Sequence, residues 1–243
     1  MISSEPVMQV MLPPLLRGEA VRSDVLRTAV ARAREGIDPG LIVHDFDAGL
    51  LSACLVLAPE LPLASAMAMV PAIANGFADA FGALAPAEVG CTFEWPGTIR
   101  INDGSCGRVR AAASTGDPAA EPDWLVIGFE IRFFDEGGGE PGLNPERTTL
   151  HEECCACIEP ARLLEGWARH SLVWIDQWQE DGMRRLHESW RARMHSPGRT
   201  VQFELGGHKQ AGRFVGLDEQ GGMLLETGNG VQLLPLSRML ETV

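Results

Sequence analysis

Lysine is almost missing from this chain: Lys209 is the one example in 243 residues, and every other basic side chain is arginine. Tyrosine does not occur at all. Positive charge is scarce overall, with 20 Lys and Arg against 33 Asp and Glu and a formal net charge of −13. That balance excludes nucleic acid as a main partner, because phosphate backbones are bound by clustered Lys and Arg. No Gly-x4-Gly-Lys phosphate loop can be found, and the short acidic run around Gly137–Gly139 does not replace one. Membrane signals are also absent from the reading. Met1–Leu16 carries no basic residue ahead of its apolar stretch, and Pro13–Pro14 interrupt it, which fits neither a signal peptide nor an anchor. No later run reads as apolar for the roughly 20 residues a membrane helix needs. The expectation is a cytoplasmic protein in which the six cysteines stay reduced.

What is present is enough for a core: 45% of residues are hydrophobic and 22% charged, the mixture of an ordinary globular protein. Ser23 is placed to cap a helix from Asp24 to about Glu35, stopped by Gly36. Its apolar positions Val25, Leu26, Ala29, Val30 and Ala33 share one face. Two β-like runs follow, Leu41–Phe46 and Leu50–Leu57, around the turn Asp47-Ala48-Gly49. A small-residue helix spans about Ala64 to Phe81, with a break expected at Pro71. From Cys91 to Ala113 the pattern is three strands separated by Trp95-Pro96-Gly97 and Asn102-Asp103-Gly104. Trp124–Phe134 reads as a buried central strand, and Asp135–Arg147 as a surface loop.

Pro160 suits the first turn of the most amphipathic helix, whose face carries Leu163, Leu164, Trp167, Ser171, Trp174, Ile175 and Trp178. Gly182 marks a bend before a shorter helix bearing Leu186 and Trp190. After Ser196-Pro197-Gly198 the pattern changes to four short strands, Thr200–Leu205, Ala211–Leu217, Met223–Glu226 and Val231–Leu234. The expected fold is therefore α+β: a mixed β-sheet with helices on one side over residues 1–195, then a small SH3-like β-barrel over 196–243.

Three segments carry a resemblance. Glu94-Trp95-Pro96-Gly97-Thr98 with the hairpin after it is similar to a Lys-Trp-Pro-Asn-Asp strand-turn. Trp124–Ile131 is similar to a Val-Ile-Gly-x-Gly-Ile-Asn strand. The tail matches over Trp190, Pro197–Val201, Gly212–Asp218 and Gly221–Leu225. Together, in this order, they resemble the biotin/lipoate protein ligase superfamily, bacterial biotin protein ligases in particular. The resemblance implies chemistry in which biotin or lipoate and ATP form an acyl-adenylate and the acyl group passes to a lysine of a carrier domain. It also implies a pocket floored by the central strand, making Glu94, Trp95, Gly128, Glu130 and Ile131 the ligand-binding candidates. Homodimers occur among such ligases, through sheet edges or the barrel.

That chemistry needs fixed positive charge where two anionic reactants meet and pyrophosphate leaves. The family's Gly-Arg-Gly-Arg loop would fall between Leu41 and Gly49, where this chain has Ile42-Val43-His44-Asp45-Phe46-Asp47. The lysine before Trp-Pro is Glu94, and the second lysine aligns near Ser105 or Cys106. Reversing one charge at 4 Å and an effective dielectric near 20 changes the interaction by about 8 kcal/mol before screening. The Ser-Thr pair near the first helix reads as Val21-Arg22, and the Gly and Asn of the pocket strand become Glu130 and Arg132. Three functions follow for testing: a ligase-like pseudoenzyme with lost or altered adenylation that binds a small acyl or biotin-like ligand or a carrier domain; a working, divergent biotin, lipoate or octanoate ligase or transferase using ATP; and a structural or regulatory dimer.

Catalytic candidates are few. Cys106 with Arg108 and Arg110 would make an activated thiol if alternation turns all three one way, and the arginines alone could clamp an anion. Against the acyl relay stands the inert, half-buried thiol. His151-Glu152-Glu153-Cys154-Cys155-Ala156-Cys157 crowds its thiols without a second knuckle, so no metal site is assigned. His44 reads as a hydrogen-bonded strand histidine before a general base, and Lys209 as a solvated turn residue. Glu94 and Glu130, if both face one pocket lined also by Arg110, would favour a neutral or cationic ligand.

Overall fold

The computed structural model describes residues 9–36, 39–135 and 146–243. The expected loop Asp135–Arg147 thus falls outside the described residues except at its ends. Strands β1 (Arg17–Ala20), β2 (Leu41–Asp47), β3 (Leu50–Leu57), β4 (Cys91–Glu94), β5 (Thr98–Ile101), β6 (Gly104–Ala113) and β7 (Leu125–Arg132) form one sheet in the order β1-β2-β3-β7-β6-β5-β4. Among the described strands, β1 and β2 alone pair in parallel. The strand expected at Trp124–Phe134 is central. Alternation sorts its residues: Ile127, Phe129 and Ile131 enter the larger core, whereas Val126 enters a second, smaller one.

Helix α1 (Val25–Arg34) buries the five expected residues, packing Leu26 and Val30 against Val43, Cys54, Val56 and Val126. Its cap is Asp24, whose carboxylate accepts the Arg27 N–H at 2.9 Å, and not Ser23, whose hydroxyl meets Thr28 Oγ1 instead. The apolar stretch after β3 divides into α2 (Leu63–Ala66) and α3 (Met69–Gly82). The break falls before Pro71, which sits in the first turn of α3, where an N–H has no intrahelical partner to lose. By composition Leu63–Gly82 is long and apolar enough to cross a membrane, which the sequence reading overlooked; 83% of its apolar window is buried inside the protein, so it is a core element.

Helix α4 (Pro160–Asp181) runs against α3, and Gly76 admits Ser171, since a Cβ there would lie 2.5 Å from its hydroxyl. Gly182 then turns the chain with φ +67° into α5 (Met183–Ala192). These helices cover the sheet face bearing Leu51, Ala53 and Phe129, while α1, with Val21, Trp124 and Val243, covers part of the opposite face. Strands β8 (Thr200–Leu205), β9 (His208–Leu217), β10 (Met223–Thr227) and β11 (Gly230–Leu234) form a four-stranded antiparallel sheet of the expected size. Lys209 lies on β9 opposite Glu204, just past the Gly206-Gly207 turn rather than in it. The small sheet joins the main core: Trp95 donates its indole N–H to the Gly221 carbonyl at 3.0 Å and meets Phe203 edge-on.

Candidate functional site

The face of the main sheet that α1 leaves uncovered is built in registered rows. Asp45 pairs with Ser52, Ser52 with Glu130, and Glu130 with Arg108 across β2, β3, β7 and β6. Two residues along, Asp47 pairs with Leu50 and Leu50 with Arg132. Period-two alternation puts both rows on one face, with acids on β2, Glu130 and Arg132 on β7, and Arg108 on β6. Above them a cleft of about 750 Å³ opens beside the N-terminal end of α1, walled by Arg22–Val25, the β2–β3 turn, Phe134-Asp135 and Arg147. Gly49, at φ +75°, makes that turn and lets it approach Phe134; a Cβ would meet the Phe134 carbonyl oxygen at 2.3 Å.

Charges in the cleft are largely matched. Glu130 accepts from Arg108 at 3.0 Å and from Arg110 at 2.6 Å. Arg110 also grips Glu241 through two bonds, 2.9 and 2.7 Å, and lies 3.6 Å from Asp24. Arg147 meets Asp135 at 3.2 Å. Arg132 donates Nη2 to the Ser105 carbonyl at 2.6 Å, whereas its buried Nε has no hydrogen-bond partner among the described residues. Burial and the neighbouring Arg147 destabilise its charged form. Burial and Asp47 raise the Asp45 carboxyl above its ordinary range, an effect offset in part by a backbone bond and Arg22.

The sequence candidates do not all meet here. Glu130 and Arg108 line the cleft, and Arg110 stands behind them. Gly128 is packed against β3, where a Cβ would lie 1.8 Å from the Ala53 carbonyl oxygen, and Ile131 is buried on the opposite face. Glu94 is elsewhere: it pairs with Arg100 at 2.8 Å in a separate cavity of about 260 Å³ beside Trp95 and the small sheet. Glu94 and Glu130 thus do not face one pocket, and the condition for a shared site with Arg110 is not met.

Cys106 is an inert thiol, as favoured over the acyl relay, though it does not share a face with Arg108. The pairing of β5 with β6 jumps from Ile99–Gly107 to Arg100–Ser105, leaving Cys106 as an extra, unpaired residue. The irregularity breaks the alternation that would have aligned it with Arg108. Its thiol enters the α3–α4 core, bonds the Arg132 carbonyl, and is pushed up to about 12 by burial. His44 is buried beside Gly18 and Leu12, on the face away from the cleft. In the cysteine-rich turn, Cys155 is buried while Cys154 and Cys157 are exposed, and no group of three metal-ligating side chains occurs among the described residues. Sequence reasoning missed Ser52, Arg147 and Glu241 as site-forming residues, and noted Asp45 and Asp47 only as replacements in the arginine-rich loop. The i, i+2 spacing of Asp45 and Asp47 was the one signal available.

A central mixed sheet with helices and a small antiparallel C-terminal sheet defines a class, the biotin-ligase fold. The chain belongs to the Biotin/lipoate A/B protein ligase family, whose model matches residues 12–192, and the Biotin protein ligase C terminal domain matches 198–237. It is similar to a biotin protein ligase-like protein of unknown function from a Silicibacter species, with 43% identity, TM-score 0.87, and coverage of 96% of this chain and 100% of that one. It is 24% identical over 209 residues to the biotin–[acetyl-CoA-carboxylase] ligase of Paracoccus denitrificans, covering 86% of this chain and 83% of that protein. The Aquifex aeolicus biotin protein ligase in complex with biotin and ATP shares the fold at TM-score 0.66 and 18% identity, with 90% and 94% of the two chains covered.

Proposed function

We propose that this protein binds a small ligand in the cleft beside α1 and has lost or strongly altered acyl-adenylate formation. One observation carries the reading. Three segments that the family resemblance ties to ligand binding converge on this cleft, and each holds a different charge from the family pattern: Arg22 near the first helix, Asp45 and Asp47 in place of the arginine-rich loop, and Glu130 with Arg132 on the central strand. This donor set does not fit an acid meeting a nucleoside triphosphate. Arg108 is already matched by Glu130, and the β2 wall presents carboxylates that would repel phosphates. Cys106, buried and protonated, offers no thiolate for an acyl relay.

The partner on this reading is a small molecule, with a biotinyl or lipoyl carrier domain as the second candidate and the cytoplasm as the place of action. The likeness to the Paracoccus ligase favours the competing reading, a working divergent ligase. Pyrophosphate release separates the two. Purified protein with ATP and biotin or lipoate is expected to release none above background, yet to gain stability with its ligand, about 2.7 kcal/mol at one hundred times the Kd. Release at an ordinary enzymatic rate would overturn the proposal.

A further inference from the structure

Building on the reading of this cleft as a binding site, we infer that it takes a dipolar ligand, an amine seated at Asp45 and Asp47 and a carboxylate seated at Arg132, joined by a short apolar spacer.

The register sets the polarity. Asp47, Leu50 and Arg132 occupy one row, and Asp45, Ser52 and Glu130 the next, all on the cleft face. Two strand spacings separate β2 from β7, so the backbones that carry the opposing charges stand about 10 Å apart. Between them lie Leu50 and the Ser52 hydroxyl, a mostly apolar bridge with one polar point. An acid alone would leave the β2 carboxylates facing desolvation, and an amine alone would do the same to Arg132. A molecule with both groups satisfies both ends.

The other charges facing the cleft are already engaged. Glu130 is held by Arg108 and Arg110, and Arg147 by Asp135. Arg22 sits close enough to weaken the mutual repulsion of the two aspartates, and burial still holds the Asp45 carboxyl above its ordinary range. A cation arriving there would relieve that penalty. At the far end, the Arg132 Nε is buried without an acceptor, while its Nη2 is fixed on the Ser105 carbonyl. That bond fixes the guanidinium at the cleft wall, where the part of Arg132 that lines the cavity can meet an incoming carboxylate oxygen. The amine-to-acid distance favours an ω-amino acid of several methylenes over an α-amino acid, whose two charges lie too close together to reach both walls.

The test uses the full chain and straight-chain ω-amino acids from glycine to 8-aminooctanoate, with hexanoate and hexylamine as single-charge controls. Calorimetric titration and thermal shift are expected to show binding that strengthens with chain length to an optimum near 6-aminohexanoate. At that optimum the dipolar probe should bind at least about ten-fold more tightly than either control. Asp47→Asn, at the exposed end of β2, should remove the advantage over hexanoate, and Arg132→Lys the advantage over hexylamine. Absence of binding by the whole series at millimolar concentration would overturn the inference, as would hexanoate binding as well as 6-aminohexanoate. Biotin or lipoate binding without pyrophosphate release would also overturn it, while leaving the binding-protein reading intact. Pyrophosphate release would instead defeat that reading.

Discussion

At the scale of single residues, burial decides which groups can react. Cys91 and Cys106 are held near 12 and Cys155 near 11, each because burial penalises the thiolate. Cys54 is raised further still by the same cause. Native protein treated with iodoacetamide near neutral pH should therefore be modified at the exposed Cys154 and Cys157 and spared at the other four, as read by peptide mass spectrometry. Rapid labelling of Cys106 would reopen the acyl-relay idea. Gly128 makes the opposite kind of demand, for space. With the Ala53 carbonyl oxygen 1.8 Å from its ideal Cβ, Gly128→Ala should cost about 3 kcal/mol or block folding, measured by urea denaturation. An alanine variant as stable as wild type would refute this packing. Much of the site was visible in the sequence as residue types: Glu130, Arg132, Arg22 and the acids at Asp45 and Asp47 all stand where the family has something else. Their grouping was not. It depends on register across four strands, and one irregularity at Cys106 reverses a side chain that strict alternation would place beside Arg108.

Elements were legible where a period is sustained. The α1 and α4 faces follow from apolar spacing, and β2, β3 and β7 from runs bounded by turns. Strand β1 was not found, because Arg17-Gly18-Glu19-Ala20 has no apolar alternation and is held by its parallel pairing with β2. The break between α2 and α3 was placed at proline rather than before it, since only the folded chain shows which helical turn Pro71 occupies. Two predictions belong to this scale. His44 on β2 is buried beside Gly18 and Leu12, and burial holds it below its ordinary value of 6.5. Unfolding frees it to take up a proton below that pH, so its contribution to stability is complete above 6.5 and declines as pH falls. His44→Phe should thus flatten the loss of melting temperature between pH 7 and pH 5; an unchanged slope would exclude His44 as its source. The second concerns the chain's last residues, which return to the main sheet: Glu241 donates its N–H to the Ala111 carbonyl and its carboxylate binds Arg110. Glu241→Ala leaves a nearly buried guanidinium with one carboxylate fewer, costing about 2 kcal/mol in a denaturant titration. A loss below a few tenths would mean solvent replaces the bond freely.

For the whole molecule, the sequence divides at about residue 195 and the packing does not. One continuous core runs from Ile42 in β2 through Phe93, Trp95 and Trp190 to Phe214, Met223, Leu225 and Leu236 in and beyond the small sheet. The backbone joins the two parts as well, with Phe93 exchanging hydrogen bonds with Arg193 and His195 at the free edge of β4. Gly221 lies so close to Trp190 that a Cβ would come within 2.8 Å of its ring, which leaves no room for a solvent layer between the units. If the 196–243 unit were removed, Trp95 would lose both its partner at Gly221 and its edge contact with Phe203, and Arg110 would lose Glu241. We therefore expect the full chain to melt in a single transition, with tryptophan fluorescence and far-ultraviolet circular dichroism changing together. A fragment ending at residue 195 should show no sharp transition and should expose apolar surface to a fluorescent dye. Two separate transitions in the full chain, together with a cooperatively folded fragment, would show that the C-terminal unit is an independent module resting on the ligase-like sheet rather than part of its core.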